Sequence, residues 1–139
     1  MKKLLPLQIA VYGVLGILSF IIVFHLLVIV GLIPFDIIWG GNISEKTEMY
    51  AMEAISIAVN MVMLFIVSVY SGIIKLNINH KLIIGAVWVM FVFFLLNTLG
   101  NLLAKKTIET YIFTPLTCIL SIFCYRIAAF DYEQKKSRA

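Results

Sequence analysis

Four apolar runs, at 4–33, 54–74, 82–104 and 111–130, alternate with short stretches that hold most of the charge. Crossing a bilayer core takes about 20 predominantly apolar residues, and each run reaches that length or exceeds it. Lipid offers the backbone no hydrogen-bond partner, so only helices and closed barrels can span it. The runs are too long for barrel strands and lack strict alternation, so the pattern predicts helices. Short connections make sequential helices antiparallel neighbours. The expected fold is therefore all-α: a polytopic membrane protein built as an antiparallel four-transmembrane-helix bundle. Helices are expected at about 5–33, 46–74, 82–104 and 110–130 within one domain spanning 1–139, with a polar, frayed tail at 131–139.

The first run would measure about 45 Å as a straight helix, which calls for tilt or for projection beyond the core. Gly13, Gly16 and Ser19 recur every third residue along one edge of it, where a neighbouring helix can approach closely. Pro34 is the expected stop. The segment that follows carries Asp36, Trp39, Gly40 and Gly41, a turn with Trp39 as an aromatic anchor at headgroup depth. Asn42 or Ser44 would cap the second helix, with Glu45 and Glu48 favourably placed at its positive end. Residues 76–80 form the expected turn between the second and third helices.

Composition strengthens this picture. Hydrophobic residues make up 63% and charged residues 13%, against roughly 25% charged in an ordinary soluble domain. The net charge of +4 does not signal nucleic acid, because the basic residues sit at the ends of the apolar runs, where they set orientation. Lys2, Lys3, Lys75, Lys81, Arg126, Lys135, Lys136 and Arg138 fall on one side, and only Lys46, Lys105 and Lys106 on the other. That bias puts both termini in the cytoplasm. Met1-Lys2-Lys3 before leucines has the look of a signal peptide, but the apolar run continues to Ile33 without a clear small-x-small cleavage site. It reads as an uncleaved first span. The cysteines, Cys118 and Cys124, are six residues apart, about 240° round a helix and badly aimed for a bridge. They read as small buried hydrophobes, and a dithiol oxidoreductase is excluded.

Polar groups inside spans are costly and usually face the bundle interior. Here they concentrate in the half of the bundle away from the termini. Glu53, Ser56 and Asn60 form a stripe on the second helix, with Ser71 farther along it; Asn97, Asn101 and Lys105 recur at i+4 on the third; Thr114, Thr117 and Ser121 share a face of the fourth. His25 lies eight residues before Ile33, about 12 Å below the end of the first run. The sharp reading is a polar ligand-binding pocket with His25 and Glu53 as its titratable members and the asparagines as walls, histidine being the side chain that changes charge near neutrality. The plain reading is interhelical hydrogen bonding at roughly 0.6 kcal/mol per pair, with Glu53 paired to Lys46 or Lys105 at the lipid boundary. Asn42-Ile43-Ser44 fits a glycosylation sequon, relevant only in a eukaryotic secretory pathway. No zinc-ligand spacing, phosphate-binding glycine loop or nucleophile elbow occurs, so no metal or other cofactor is expected.

Trp39-Gly40-Gly41, Met49-Tyr50 with Glu53, Leu96-Asn97-Thr98-Leu99-Gly100-Asn101 and Phe113-Thr114-Pro115-Leu116-Thr117 together resemble a group of small bacterial four-helix integral membrane proteins to which no activity is assigned. The resemblance spans most of the chain. It implies residence in a bacterial inner membrane and carries over no residue roles. Size and helix number are also similar to sterol-isomerase-type (EXPERA) bundles, an analogy of fold alone. The expected function is binding or transport of a small amphiphile or ion through an outward-facing polar pocket. Membrane lipid would be the surroundings, and a second copy or another membrane subunit would complete any path. The alternatives are a small membrane enzyme using His25 and Glu53 for acid–base chemistry on a lipid-like substrate, and a non-catalytic accessory subunit. The small multidrug exporter class does not fit, because no carboxylate lies at the middle of a span.

Overall fold

The computed structural model describes residues 5–34, 45–103 and 108–138, with the backbone alone at 108–109 and 132–138. It contains four helices: α1 (Leu7–Ile29), α2 (Lys46–Tyr70), α3 (His80–Leu103) and α4 (Ile108–Arg138). All are long and apolar enough to cross a membrane, α4 through its Thr110–Asp131 portion. The chain is a multi-pass membrane protein folded as a four-helix bundle. Large apolar side chains such as Ile9, Val30, Val62, Leu82, Val89 and Leu96 stand exposed on its outside, an arrangement suited to lipid and not to water.

Local backbone chemistry sets the helix ends, and two of them fall short of the apolar runs. Helix α1 stops at Ile29, well before Pro34. Gly31 takes a positive φ of 79°, its N–H donates to the Val28 carbonyl at 3.0 Å, and the Leu32 N–H reaches back to Leu27 at 3.0 Å. This paired closure satisfies carbonyls that would otherwise be orphaned, and glycine adopts it without a Cβ penalty. The result is a helix of 23 residues, about 35 Å long, which matches a bilayer core without the projection that the full run implied. Gly72, at φ 77°, ends α2 in the same way at Tyr70 rather than at residue 74. Glu45 stands at the N-cap of α2 without a side-chain capping bond. The cap candidates Asn42 and Ser44 lie outside the described residues, as do Asp36, Trp39, Gly40 and Gly41.

Helix α3 begins two residues earlier than its apolar run, because the Asn79 side-chain oxygen accepts from the Lys81 N–H at 3.0 Å and so caps the first turn. Helix α4 departs most from expectation. It continues as helix to Arg138, where a frayed tail was anticipated. The sequence past Asp131 is rich in good helix formers, and its basic residues come last, the order that the helix dipole favours.

Helix α1 packs against α2 and α4, and α4 packs most extensively against α3. The α2–α3 seam is the least packed of these neighbouring pairs. The main core joins Ala10, Val14, Leu18 and Ile21 of α1 to Met63 and Val67 of α2, Val87, Met90 and Phe94 of α3, and Leu120, Cys124 and Ile127 of α4. A second, smaller cluster of Val28 and Met49, flanked by Phe24, Ile33 and Met52, lies towards the end that carries the α1–α2 and α3–α4 connections. The apolar interior is thus interrupted between Ile21 and Val28, and the gap is where the polar residues gather. Gly13 does not offer a free edge for a second molecule: a Cβ there would collide with the Phe123 ring of α4, whereas Gly16 has open space. Cys124 is buried, but Cys118 is exposed rather than buried, and neither forms a disulfide.

Candidate functional site

The break in the core is a cavity of about 370 Å³ bounded by all four helices. Helix α1 reaches it one turn before its glycine stop and contributes Ile21, Phe24 and His25. Helix α2 contributes the stripe Glu53, Ser56 and Asn60, α3 contributes Asn97 and Asn101 beside Phe93 and Phe94, and α4 supplies Thr117 and Phe113. Of the residues singled out by sequence, His25, Glu53, Ser56, Asn60, Asn97, Asn101 and Thr117 share this one cavity. Thr114 does not line it. Its hydroxyl is buried without a partner among the described residues, one residue before Pro115, whose ring removes a backbone donor from the helix. Lys105 lies outside the described residues.

The defining contact is between His25 Nδ1 and Glu53 Oε2, 2.6 Å apart. Glu53 is fully buried and the His25 side chain is 12% exposed. Lys105, one of the two lysines expected beside Glu53, lies outside the described residues, and Glu53 itself lies inside the bundle rather than at an exposed lipid boundary. Seven residues into α2, about 10 Å along its axis, its carboxyl turns inward to the histidine of the facing helix. A bond this short holds one proton, which His25 Nδ1–H donates when Glu53 is the carboxylate. Phe24 sits edge-on to the His25 ring at 5.9 Å and edge-on to Phe113 at 5.0 Å. The dyad is thus held in an aromatic collar that sequence reasoning did not identify, although Phe24 adjoins His25 and Phe113 lies within one turn of Thr117.

The walls divide into committed and uncommitted polar groups. The Asn60 side-chain N–H donates to the Ser56 carbonyl one turn back at 2.8 Å, which leaves its oxygen for the cavity. The Thr98 and Thr117 hydroxyls are 2.9 Å apart across the α3–α4 contact. Each also reaches a carbonyl of its own helix, Phe94 at 2.8 Å and Phe113 at 2.9 Å. These threonines are packing groups, with Thr117 at the edge of the cavity. Asn97 and Asn101 make no hydrogen bond to any described residue, and Asn97 is exposed. These two amides, on a membrane-spanning helix and facing a cavity they share with Phe93 and Phe94, offer both donors and acceptors to an incoming molecule.

The opposite end of the bundle carries polar contacts that the sequence reading did not anticipate. Arg126, read as an orienting charge, is only 6% exposed. Its Nε–H donates to the Leu5 carbonyl just ahead of α1 at 2.8 Å, and its guanidinium lies 5.3 Å from the centre of the Phe130 ring. His80, at the start of α3, is 2.5 Å from Asp131 and stacks on Tyr70 at the end of α2. These contacts tie α4 to the segment ahead of α1 and to the start of α3, and help to explain why it stays helical past the span. Among the described residues no group of three His, Cys, Asp or Glu side chains is placed to hold a metal ion.

No family model matches the chain, and neither a curated protein nor a solved structure matches it at a significant level. The functional reading therefore rests on the cavity and its chemistry.

Proposed function

We propose that this protein binds a small amphiphile, placing the polar head in the cavity beside His25 and Glu53, as a binding or transport component of a bacterial inner membrane. The observation that carries the reading is the buried Glu53–His25 pair at the wall of a roomy cavity. Burying a carboxylate is among the more expensive acts open to a membrane protein, and such groups mark functional sites by default. A pair needed only to join α1 to α2 would be expected inside a packed contact, but this one borders open volume together with the uncommitted amides of Asn97 and Asn101.

The basic residues favour cytoplasmic termini, which directs the cavity towards the outer leaflet. A Lys46→Cys reporter in a Cys118→Ser background, which leaves only the buried Cys124 besides it, tests this. Labelling of intact cells by an impermeant maleimide is the expected result, and labelling only after lysis overturns the orientation.

Ligand binding is tested by thermal unfolding of the purified protein against a panel of amphiphiles with differing heads. A ligand that binds only the folded state at 100 times its Kd stabilises it by about 2.7 kcal/mol. At least one head class is expected to raise the midpoint of the wild type and not that of Glu53→Gln. A panel that leaves the wild type unmoved, or that moves both proteins equally, overturns the reading.

A further inference from the structure

We infer that the cavity hydrolyses the carboxylic ester of a bound amphiphile, with His25 Nε2 as the general base that activates a water and the Asn97 and Asn101 amides as donors to the developing oxyanion. The inference rests on the cavity being an amphiphile site and adds a reaction to it.

The ring of His25 is engaged through one nitrogen only. Its Nδ1 lies 2.6 Å from Glu53 Oε2, and its Nε2 makes no hydrogen bond to any described residue, while the side chain lines the cavity. With the shared proton on Nδ1, Nε2 carries a bare lone pair, the form of imidazole that accepts a proton. A carboxylate on Nδ1 fixes this tautomer, orients the ring and stabilises the imidazolium formed on proton transfer. Glu53 is thus a positioning residue that acts through His25. It makes a further interaction besides this one, which leaves the Nδ1 contact intact. Phe24, edge-on to the ring at 5.9 Å, limits its rotation.

Helices α1 and α3 are diagonal in the bundle, so Asn97 and Asn101 face the cavity from another wall. Four residues apart, they share one helix face and are separated by about 6 Å along the axis. Neither amide is committed to a described residue. Polar groups that join helices are paired with one another, as Thr98 and Thr117 are at 2.9 Å. Two unpaired amides and an unpaired ring nitrogen around one cavity are groups kept for a third molecule. A base on one wall and amide donors on another are the two parts needed when water adds to a carbonyl. One takes the proton of the nucleophile, and the other receives the charge on oxygen. The ester between head and chain is the carbonyl an amphiphile offers, with Ile21, Phe93 and Phe113 beside its apolar part. His25 is four residues from the end of α1, about 6 Å, which brings it near the water of the headgroup zone. Ser56 also lines the cavity, but no hydrogen bond joins it to His25, so the nucleophile is water and not the serine.

The water oxygen bonds to the acyl carbon as its proton passes to Nε2, and the carbonyl electron pair moves onto oxygen beside the asparagine N–H groups. The intermediate then collapses. The bond from carbon to the alkoxy oxygen breaks with its electron pair on that oxygen, which takes the proton back from Nε2. A carboxylic acid and an alcohol leave, and the dyad is restored.

The test uses the full-length protein in dodecyl maltoside micelles with matched decanoyl esters and decyl ethers of glycerol, glycerophosphocholine and glycerophosphoglycerol. The ethers report binding through the unfolding midpoint and cannot be hydrolysed. At least one ether is expected to raise the midpoint, and its ester to release decanoate that carries labelled oxygen when the reaction is run in oxygen-18 water. His25→Asn, whose amide replaces the Nδ1 donor to Glu53 and provides no Nε2, is expected to lower kcat by about a hundredfold or more. Asn97→Leu and Asn101→Leu are each expected to lower it by about tenfold or more, with the unfolding midpoint of each variant checking its fold. In protein carrying nitrogen-15 histidine, His25 Nε2 is expected at the shift of an unprotonated ring nitrogen in the wild type. In Glu53→Leu it should move towards the protonated shift, a change that loss of packing alone does not produce. A bound ether whose ester survives overturns the hydrolysis and leaves the cavity reading standing. Cleavage undiminished in His25→Asn, or a protonated Nε2 in the wild type, overturns the base. Label on the alcohol overturns attack at the acyl carbon, and a decanoyl adduct on Ser56 in the quenched protein overturns water as the nucleophile. Midpoints unmoved by every ether remove the cavity reading and this inference with it.

Discussion

Replacing His25 with phenylalanine removes a 2.6 Å partner of a fully buried carboxyl group while filling a similar volume. Breaking a buried ionic pair from one side typically costs about 3–5 kcal/mol, whereas replacing both members with apolar residues is often neutral or better. Ordinary side-chain hydrogen bonds between membrane helices average roughly 0.6 kcal/mol and reach about 1.7. The 2.6 Å separation and near-complete burial place this pair in the first class. His25→Phe should therefore destabilise by about 3 kcal/mol. Glu53→Leu should cost about 1–3, since it leaves a buried ring nitrogen unsatisfied. The double variant should fall within about 1 kcal/mol of the wild type, which makes the coupling larger than about 2 kcal/mol. Reversible unfolding by SDS in mixed micelles, followed by far-ultraviolet circular dichroism, measures all four corners of the cycle. A coupling of 0.6 kcal/mol or below, the ordinary membrane value, would refute the claim that the dyad is a desolvated pair. A double variant as unstable as the sum of the singles would refute it equally.

Three further outcomes follow from particular contacts. Gly13→Val should destabilise by about 1–3 kcal/mol through overpacking against Phe123, whereas Gly16→Ala should be neutral or slightly stabilising, as the same unfolding assay would register. Gly31→Ala should cost about 1 kcal/mol, because its φ of 79° is disfavoured by a Cβ; hydrogen exchange should show faster opening of the last turn of α1. Arg126→Leu should free the segment ahead of α1 by removing the bond to the Leu5 carbonyl, seen as proteolytic cleavage near Pro6 that the wild type resists.

Much of the fold was legible because its physics is one-dimensional: a bilayer demands long apolar runs, and four of them leave room for little else. The helix ends were less so. Apolar residues continue past Gly31 and Gly72, and hydropathy cannot see a positive φ that turns the chain. Nor could composition show that a polar stretch past Asp131 would remain helical, which depends on growing from a helix already packed. In the site, helical spacing sufficed to place Ser56 and Asn60 beside Glu53, and Asn101 one turn from Asn97. It could not show that Glu53 turns away from the lipid boundary to a histidine 28 residues earlier in the chain, because that depends on the rotation of two helices about their axes.

The central claim is that the cavity beside His25 and Glu53 holds an amphiphile, and the double variant His25→Phe/Glu53→Leu isolates it, because that protein should be folded and yet unable to bind. Native mass spectrometry of both proteins, released gently from the membranes in which they were made, is the most direct measurement. The account predicts a reproducible bound amphiphile on the wild type and none on the double variant. A wild type that emerges bare, or a double variant that carries the same mass, would contradict it.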